Sequence, residues 1–296
     1  MENESKELKC SMIAVMGMTN AGKSTLINRI VGFKASIVTY KVHTTRFRMN
    51  AVLNTDNVQL VFTDTPGVFA PKTKLEKFIV KNAWMSMKGV DAAILVLNLG
   101  DHLSPNTVNI VKRIKSSGIP AVAVLNKVDL LDEKQIEDAL ADIRGIHDFE
   151  KVFAISSLSG HGIGHLVNFL KEIAPHGPWL YPDNQRTDAT LEFFTAEITR
   201  EKLFFALRQE LPYSLSVVTE QIEERKKSII IKQVVYVTKS SQKTIVVGKD
   251  ASVIKEVCTA SREELKNILN KEVHLYLFVK VRKFWQDSLH ECIVGL

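Results

Sequence analysis

Between residues 10 and 175 the chain alternates short, almost wholly apolar runs with longer amphipathic stretches. The apolar runs Met12–Met16, Val58–Thr63, Ala92–Leu97, Ala121–Leu125 and Val152–Ile155 predict strands, with Phe47–Leu53 as an edge strand. Helical spacing of apolar positions predicts helices over 24–31, 74–88, 104–117, 133–144 and 163–173. Strands apolar on both faces and separated by helices imply a mostly parallel sheet covered on both sides, an α/β fold of the P-loop type. On such sheets ligands bind beyond the carboxyl ends of the strands.

The pattern changes at Pro175–Asp188, where Pro175, Gly177, Pro178 and Pro182 forbid a continuing helix. The expected organisation is a first domain over 8–176, a linker over 177–189 and a second, α+β domain over 190–296. In the second domain Thr190–Arg208 predicts a helix, and Ser214–Gln221 and Ile229–Thr238 predict strands. Gln242–Val247 reads as a third short strand. Helices over 251–258 and 260–269, a strand over Val273–Val281 and a short C-terminal helix complete the expectation. There is no internal repeat or low-complexity tract.

Composition narrows the class. The 296 residues are 45% hydrophobic and 24% charged, as in an ordinary soluble protein. No run reaches the length of a membrane-spanning helix, and Met1–Lys9 is charged without the apolar core of a signal peptide. Cys10, Cys258 and Cys292 show no metal-type spacing, which fits reduced thiols in a cytoplasmic protein. His102, His161 and His165 likewise lack ligand spacing and read as surface histidines. The net charge is +6. Locally it is stronger: Arg225, Lys226, Lys227, Lys232, Lys239, Lys243, Lys249 and Lys255 face one acid, Asp250, within 225–255.

The candidate chemistry lies at the predicted strand ends. Gly17, Met18, Thr19, Asn20, Ala21, Gly22, Lys23 and Ser24 match G-x-x-x-x-G-K-[ST] at every fixed position, between a strand and a helix that starts through Thr25. Backbone N–H groups and the helix N-terminus there converge on phosphate oxygens. Lys23 would reach the β- and γ-phosphates, and the Ser24 hydroxyl would bind Mg²⁺. After the strand Val58–Thr63 come Asp64, Thr65, Pro66 and Gly67. The Asp64 carboxylate would hold Mg²⁺ through water, and the Gly67 N–H would face the γ-phosphate. Asn126, Lys127 and Asp129 follow the strand Ala121–Leu125. An Asp129 carboxylate accepts from the N1–H and 2-amino group of guanine, donors that adenine lacks, so the site selects GTP and GDP. Ser156, Ser157 and Leu158 would present a backbone N–H to the guanine oxygen. Within His43-Thr44-Thr45-Arg46, Thr45 is favoured over Thr44 to close on Mg²⁺ and the γ-phosphate, making Phe33–Arg46 a switch segment.

With these motifs in this order, the chain resembles the bacterial Era family of GTPases. The C-terminal matches are more diagnostic than the nucleotide motifs: Glu210-Leu211-Pro212-Tyr213-Ser214, the run Gly248–Thr259 containing Ile254-Lys255-Glu256, and Val279-Lys280-Val281 with Trp285. The resemblance implies a Ras-like GTPase domain followed by a type II KH domain that binds RNA. It further implies the 3′ end of 16S rRNA and the pre-30S or 30S particle as partners, with a role in late assembly of the small subunit. Peripheral contact with the cytoplasmic face of the inner membrane is implied as well; with no lipid anchor it would be electrostatic. A monomer is expected. The RNA residues implied are Lys226, Lys227, Gly248, Lys249, Asp250, Ala251 and Lys255.

One departure stands out. KH domains clamp the nucleic-acid backbone with G-x-x-G, whereas this loop reads Gly248-Lys249-Asp250-Ala251. Ala251 is expected to begin the following helix without positive φ, and Lys249 and Lys255 to offset Asp250. Lys23, Thr45 and Gly67 would carry hydrolysis. Val68 replaces the glutamine with which Ras-like proteins orient water, so slow intrinsic turnover is expected. Asn20 stands where potassium-dependent relatives hold a monovalent cation, which adds K⁺ as a candidate cofactor beside Mg²⁺; a plain loop brace is the alternative. GTP would order Phe33–Arg46 and Asp64–Lys74 and so control RNA binding. Rival readings are a tRNA-modification or cell-division GTPase, an RNA-binding module with a structural nucleotide, and an ATPase. No added catalytic domain is present for the first, and Asp129 opposes the last.

Overall fold

The computed structural model describes residues 7–41, 44–71, 73–209 and 211–283. The chain divides into two compact units, one ending at Asp188 and the other starting at Ala189. In the first, six strands line up in the order β2-β3-β1-β4-β5-β6. They are β1 (Lys9–Gly17), β2 (Met49–Thr55), β3 (Val58–Asp64), β4 (Ala92–Leu97), β5 (Ala121–Leu125) and β6 (Lys151–Ala154). Only the β2–β3 pair is antiparallel. The helices are α1 (Lys23–Val31), α2 (Lys74–Met85), α3 (Pro105–Ser117), α4 (Glu133–Ile146) and α5 (Ile163–Ile173).

Alternation along β1 shows how both faces are covered. Ile13 and Val15 pack with Leu26 and Ile27 of α1 and Leu166 of α5. Ala14 and Met16 join Ala83 of α2, Ile110 of α3 and Ile143 of α4 on the other side. The helices start where side chains satisfy their unpaired N–H groups: Thr73 and Glu76 form a capping box at α2, Ser104 caps α3 ahead of Pro105, and Asp132 with Gln135 caps α4. Strand order reverses on either side of β1, so the carboxyl end of β1 is a switch point, and the phosphate-loop sequence begins there.

The segment expected to be a linker is bound to the first unit as a strap. Gln59, wholly buried in β3, accepts through Oε1 from the backbone N–H of Leu180 at 2.9 Å and of Tyr181 at 3.0 Å. Its Nε2 donates to the Tyr181 carbonyl at 2.9 Å. Farther on, Val52 N–H donates to the Arg186 carbonyl at 2.8 Å and Asn50 N–H to the Asp188 carboxylate at 2.8 Å. Trp179 and Tyr181 cover Cys10, Val52 and Val61. The exposed edge of β2 is thereby occupied, one of the ways a sheet edge is protected.

The second unit runs α6 (Leu191–Ala206), β7 (Leu215–Glu224), β8 (Ser228–Val237), α7 (Ser240–Val247), α8 (Ser252–Leu269), β9 (Glu272–Val281), with β7 antiparallel and β9 parallel to the central β8. Two expectations are corrected. Gln242–Val247 is helical: Gln242 Oε1 accepts from the N–H groups of Thr238 and Lys239 at 2.9 and 3.0 Å, starting a turn, and Val246 is buried in the core. Burial of one helical face overrides the strand preference of the β-branched Thr-Ile-Val-Val run. The helices expected over 251–258 and 260–269 are one continuous helix, α8, with Val257, Ser261 and Leu265 on its buried face. The predicted C-terminal helix, Trp285 and Cys292 lie outside the described residues, as do His43 and Glu210. Among the described residues no helix is long and apolar enough to cross a membrane.

Candidate nucleotide and nucleic-acid sites

Two glycines shape the phosphate loop because no side chain fits. A Cβ on Gly17 would stand 2.4 Å from the Val96 carbonyl oxygen, and one on Gly22 2.3 Å from the Asn126 amide. Lys23, at the first turn of α1, points back into the loop and donates to the carbonyls of Gly17 at 3.3 Å and Met18 at 2.8 Å. Burial lowers its pKa to about 8, partly countered by Asp64. A buried ammonium ringed by neutral carbonyls is a site that an anion stabilises. Asn20 adopts φ 60° and donates through Nδ2 to the Tyr40 carbonyl at 3.1 Å, tying the loop to the segment before Thr44 and Thr45. A cleft lies over the loop, lined by Thr19, Lys23, Ser24, Thr25, Thr45 and Gly67 among others.

Three oxygen-bearing side chains meet below it. Ser24 Oγ lies 2.8 Å from Asp64 Oδ2 and 3.1 Å from Thr45 Oγ1. Burial pushes the Asp64 carboxyl up, while the Ser36 and Ser24 hydroxyls, the charge of Lys23 and the Thr45 hydroxyl pull it back. Among the described residues Asp64 Oδ1 and the neighbouring Ser36 hydroxyl are both buried without a well-formed hydrogen bond. Thr44 is directed elsewhere, onto Thr39 Oγ1 at 2.6 Å and the Lys41 carbonyl at 2.8 Å. Hydroxyl and carboxylate oxygens with one acceptor unpaired form a donor set suited to a hard divalent cation such as Mg²⁺.

Beyond Asp64, Thr65 anchors the turn by donating to the Val15 carbonyl at 2.6 Å. Pro66 leads into Gly67, where a Cβ would stand 2.7 Å from the Thr19 backbone. Val68 N–H donates to the Gly17 carbonyl at 3.1 Å, and its side chain is buried among apolar neighbours.

The third strand end carries the base-reading residues. Asn126 donates to the Ala21 carbonyl at 2.9 Å and accepts from the N–H of Ser157 at 3.0 Å and its hydroxyl at 2.9 Å. Its role in this geometry is bracing. Lys127, at φ 64°, reaches the Asn20 carbonyl at 2.9 Å. Asp129 is exposed, with its carboxylate unpaired among the described residues. The N–H of Ser156 is donated to the His161 carbonyl at 3.1 Å. With Ser157 also engaged, Leu158 is the residue of this motif whose N–H makes no hydrogen bond among the described residues.

In the second unit, Gly248 (φ 76°) closes α7, and a Cβ there would stand 2.8 Å from the Val253 nitrogen. Lys249, Asp250 and Lys255 are exposed around the loop, and Lys255 Nζ donates to the Asp250 carbonyl at 3.1 Å. The expectation for Ala251 is corrected: it has φ 60°, directly after Asp250 at φ 53°. Two consecutive left-handed residues are needed to turn the chain from α7 into α8. Lys226 and Lys227 do not join this loop. The Lys227 carbonyl accepts from Glu272 N–H at the start of β9, whereas α7 follows the Val237 end, where Arg282 N–H donates to the Val237 carbonyl. The ten-residue β8 separates the two ends by roughly 30 Å.

Comparison with known proteins decides the family. A family described as 50S ribosome-binding GTPase matches residues 12–127, and KH domain matches residues 210–286. GTPase Era of Ehrlichia canis (strain Jake) is 56% identical over 286 residues, 96% of this chain and 97% of that protein. The chain belongs to the Era family of GTPases. GTPase Era of Sinorhizobium medicae (strain WSM419) is 44% identical over 95% of this chain and 91% of its own. Among solved structures, Era in complex with MgGDPNP and nucleotides 1506–1542 of 16S ribosomal RNA is 32% identical with a TM-score of 0.90, covering 94% of this chain and 95% of that one. A variant of Aquifex aeolicus Era bound to GDP and AlF₄⁻ also gives 32% identity and 0.90, over 94% and 96%. As an Era GTPase the protein binds guanine nucleotide and hydrolyses GTP.

Other residues supporting this Era site carry no motif signal. Asn28 of α1 accepts from the N–H groups of Ala35 and Ser36, both at 2.9 Å, and donates to the Ser36 carbonyl at 2.7 Å. It thereby fixes the root of the segment that leads to Thr45. Arg29 donates to the carbonyls of Ser157 and Leu158, holding the base-side loop from behind. A polar pair on the first helix after the phosphate loop was the available clue, but its partners are set by the tertiary fold.

Proposed function

We propose that this Era GTPase is a nucleotide-controlled RNA-binding switch whose KH unit holds the 3′ end of 16S rRNA during assembly of the 30S subunit. The observation carrying this reading is that one chain joins the Ser24–Thr45–Asp64 cluster to a lysine-flanked Gly248–Ala251 loop at a helix N-terminus. Its support from outside is the relative solved with both MgGDPNP and a 16S rRNA fragment. In this reading Ser24, Thr45 and Asp64 would hold Mg²⁺, which would supply positive charge beside the phosphates. Lys23 exchanges its loop carbonyls for phosphate oxygens, and the Gly67 N–H faces the γ-phosphate. Without a glutamine at Val68, water is oriented weakly and turnover is slow.

Asp129 reads the guanine edge and Leu158 N–H meets its oxygen. Lys249 and Lys255 contact RNA phosphates. Lys226 and Lys227, at the far end of β8, contribute a separate electrostatic contact. Asn20 is assigned as a brace on the strength of its bond to the Tyr40 carbonyl. K⁺ at Asn20 is the second reading, and GTP turnover compared in K⁺ and Na⁺ at matched ionic strength separates the two. Peripheral contact with the inner membrane rests on family resemblance alone.

The test is fluorescence anisotropy of a labelled 16S rRNA 3′-end oligonucleotide with GDP and with a non-hydrolysable GTP analogue. Tighter, sequence-selective binding in the triphosphate state is expected, lost in Lys249→Glu with Lys255→Glu. Equal affinity in both nucleotide states would overturn the coupling. Lys23→Ala should abolish nucleotide binding yet leave the RNA site folded.

A further inference from the structure

A second basic surface lies in the first unit, against the segment that follows Asp64. A groove between α2 and α3 has Val68–Pro71 along its floor. Lys77, Lys81 and Trp84 of α2 line one side at helical spacing, with Lys88 in the turn just after the helix, and Lys112 and Arg113 face them from α3. Among the described residues no carboxylate lines it. The whole of α3, Pro105–Ser117, contains no acidic residue, and the lone acid of α2, Glu76, is committed to capping Thr73. Among the described residues none of these five cations forms an ion pair. Arg113 instead stacks over the half-buried Trp84 ring, 4.2 Å from its centre. Unpaired cations held along two facing helices repel one another, and a polyanion relieves that repulsion.

We propose that this groove is an RNA-binding surface, separate from the KH loop, which takes phosphodiester backbone between α2 and α3. Several features favour RNA over an acidic protein segment. From Lys77 to the end of α2 the stripe runs roughly 12 Å at helical rise, and Lys88 extends it, long enough for two or three consecutive phosphates. Asn106 and Asn109 add amide donors and acceptors on the α3 side. The Trp84–Arg113 pair offers a flat cationic surface on which a base stacks. The floor belongs to the Asp64–Lys74 segment, which contacts the phosphate loop through Gly67 and Val68. Occupancy of the groove therefore depends on the bound nucleotide. This inference rests on the reading of the protein as a nucleotide-controlled RNA binder.

The test uses the full chain carrying Lys249→Glu and Lys255→Glu, which silences the KH loop, so that the groove and the KH reading are scored separately. Onto it are added Lys81→Gln, Lys112→Gln and Arg113→Gln, exposed positions outside the nucleotide site. Binding of a labelled RNA hairpin with single-stranded flanks is measured against salt with the GTP analogue, and poly-glutamate serves as the alternative polyanion. The parent is expected to bind the hairpin at least tenfold more tightly than the triple substitution at low salt. Its log–log salt slope should be steeper by about 2–3, slightly less than one for each of the three lost phosphate contacts. GTP turnover and the urea midpoint should match the parent. Equal hairpin affinity and slope in the two proteins would overturn the proposal, as would groove-dependent binding of poly-glutamate with none of RNA. Loss of 3′-end selectivity on silencing the KH loop alone reports on the KH reading and leaves the hairpin comparison intact.

Discussion

Asn126 clamps Ser157: its Oδ1 accepts both the N–H at 3.0 Å and the hydroxyl at 2.9 Å of that residue, while Nδ2 holds the Ala21 carbonyl at 2.9 Å. One buried amide thus fastens the base-side loop to the phosphate loop. Asn126→Ala leaves these buried groups unpaired, at about 1–3 kcal/mol each. GDP and GTP affinity should both fall more than tenfold, read by displacement of a fluorescent guanine nucleotide, with a lowered unfolding midpoint in the nucleotide-free protein.

Gly67 is held against Thr19 with no room for a methyl group, since a Cβ would lie 2.7 Å from backbone atoms. Gly67→Ala must push the turn away from the phosphate loop. GDP binding should persist while single-turnover GTP hydrolysis falls at least tenfold. An unchanged rate constant would show that the Gly67 N–H is not needed.

Asp129 stands exposed, and among the described residues its carboxylate is unpaired. Asp129→Asn replaces an acceptor pair by one donor and one acceptor, which matches the 2-oxo group of xanthine better than the 2-amino group of guanine. Competition between XDP and GDP should shift toward XDP by at least tenfold.

Gln59 binds the Leu180–Tyr181 backbone through three hydrogen bonds from a wholly buried position in β3. Gln59→Ala should cost roughly 2–4 kcal/mol, because the strap loses its buried partners. Amides of residues 180–188 should lose hydrogen-exchange protection, while those of β1 and β4 keep theirs.

Ala251 holds φ 60°, which disfavours a side chain by roughly 1–2 kcal/mol. Ala251→Gly relieves this strain, and the greater chain entropy of glycine when unfolded returns about 0.4–1 kcal/mol of it. A net gain of up to about 1.6 kcal/mol is expected in urea unfolding of the second unit, with RNA affinity undiminished. A loss of stability would mean that the left-handed turn is not strained.

The sequence by itself determined the parallel α/β core, because strands buried on both faces must be continuously apolar, and the nucleotide site, because backbone cradling demands glycines at fixed spacing. Gly17, Gly22 and Gly67 were legible for that reason. Thr45 was favoured over Thr44 by sequence, and the fold adds direction: Thr45 faces Ser24, whereas Thr44 bonds Thr39 and the Lys41 carbonyl. Only tertiary packing made Gln242–Val247 a helix, by burying Val246, and only the long-range register of β8 with β9 parted Lys226 and Lys227 from the Gly248–Ala251 loop. The strap over β2 was hidden too: its prolines and glycine read as a tether, and the bonds that bind it come from Gln59, some 120 residues earlier. Local pattern encodes which backbone shapes are allowed, whereas contacts across such separations exist only when the whole sheet has assembled.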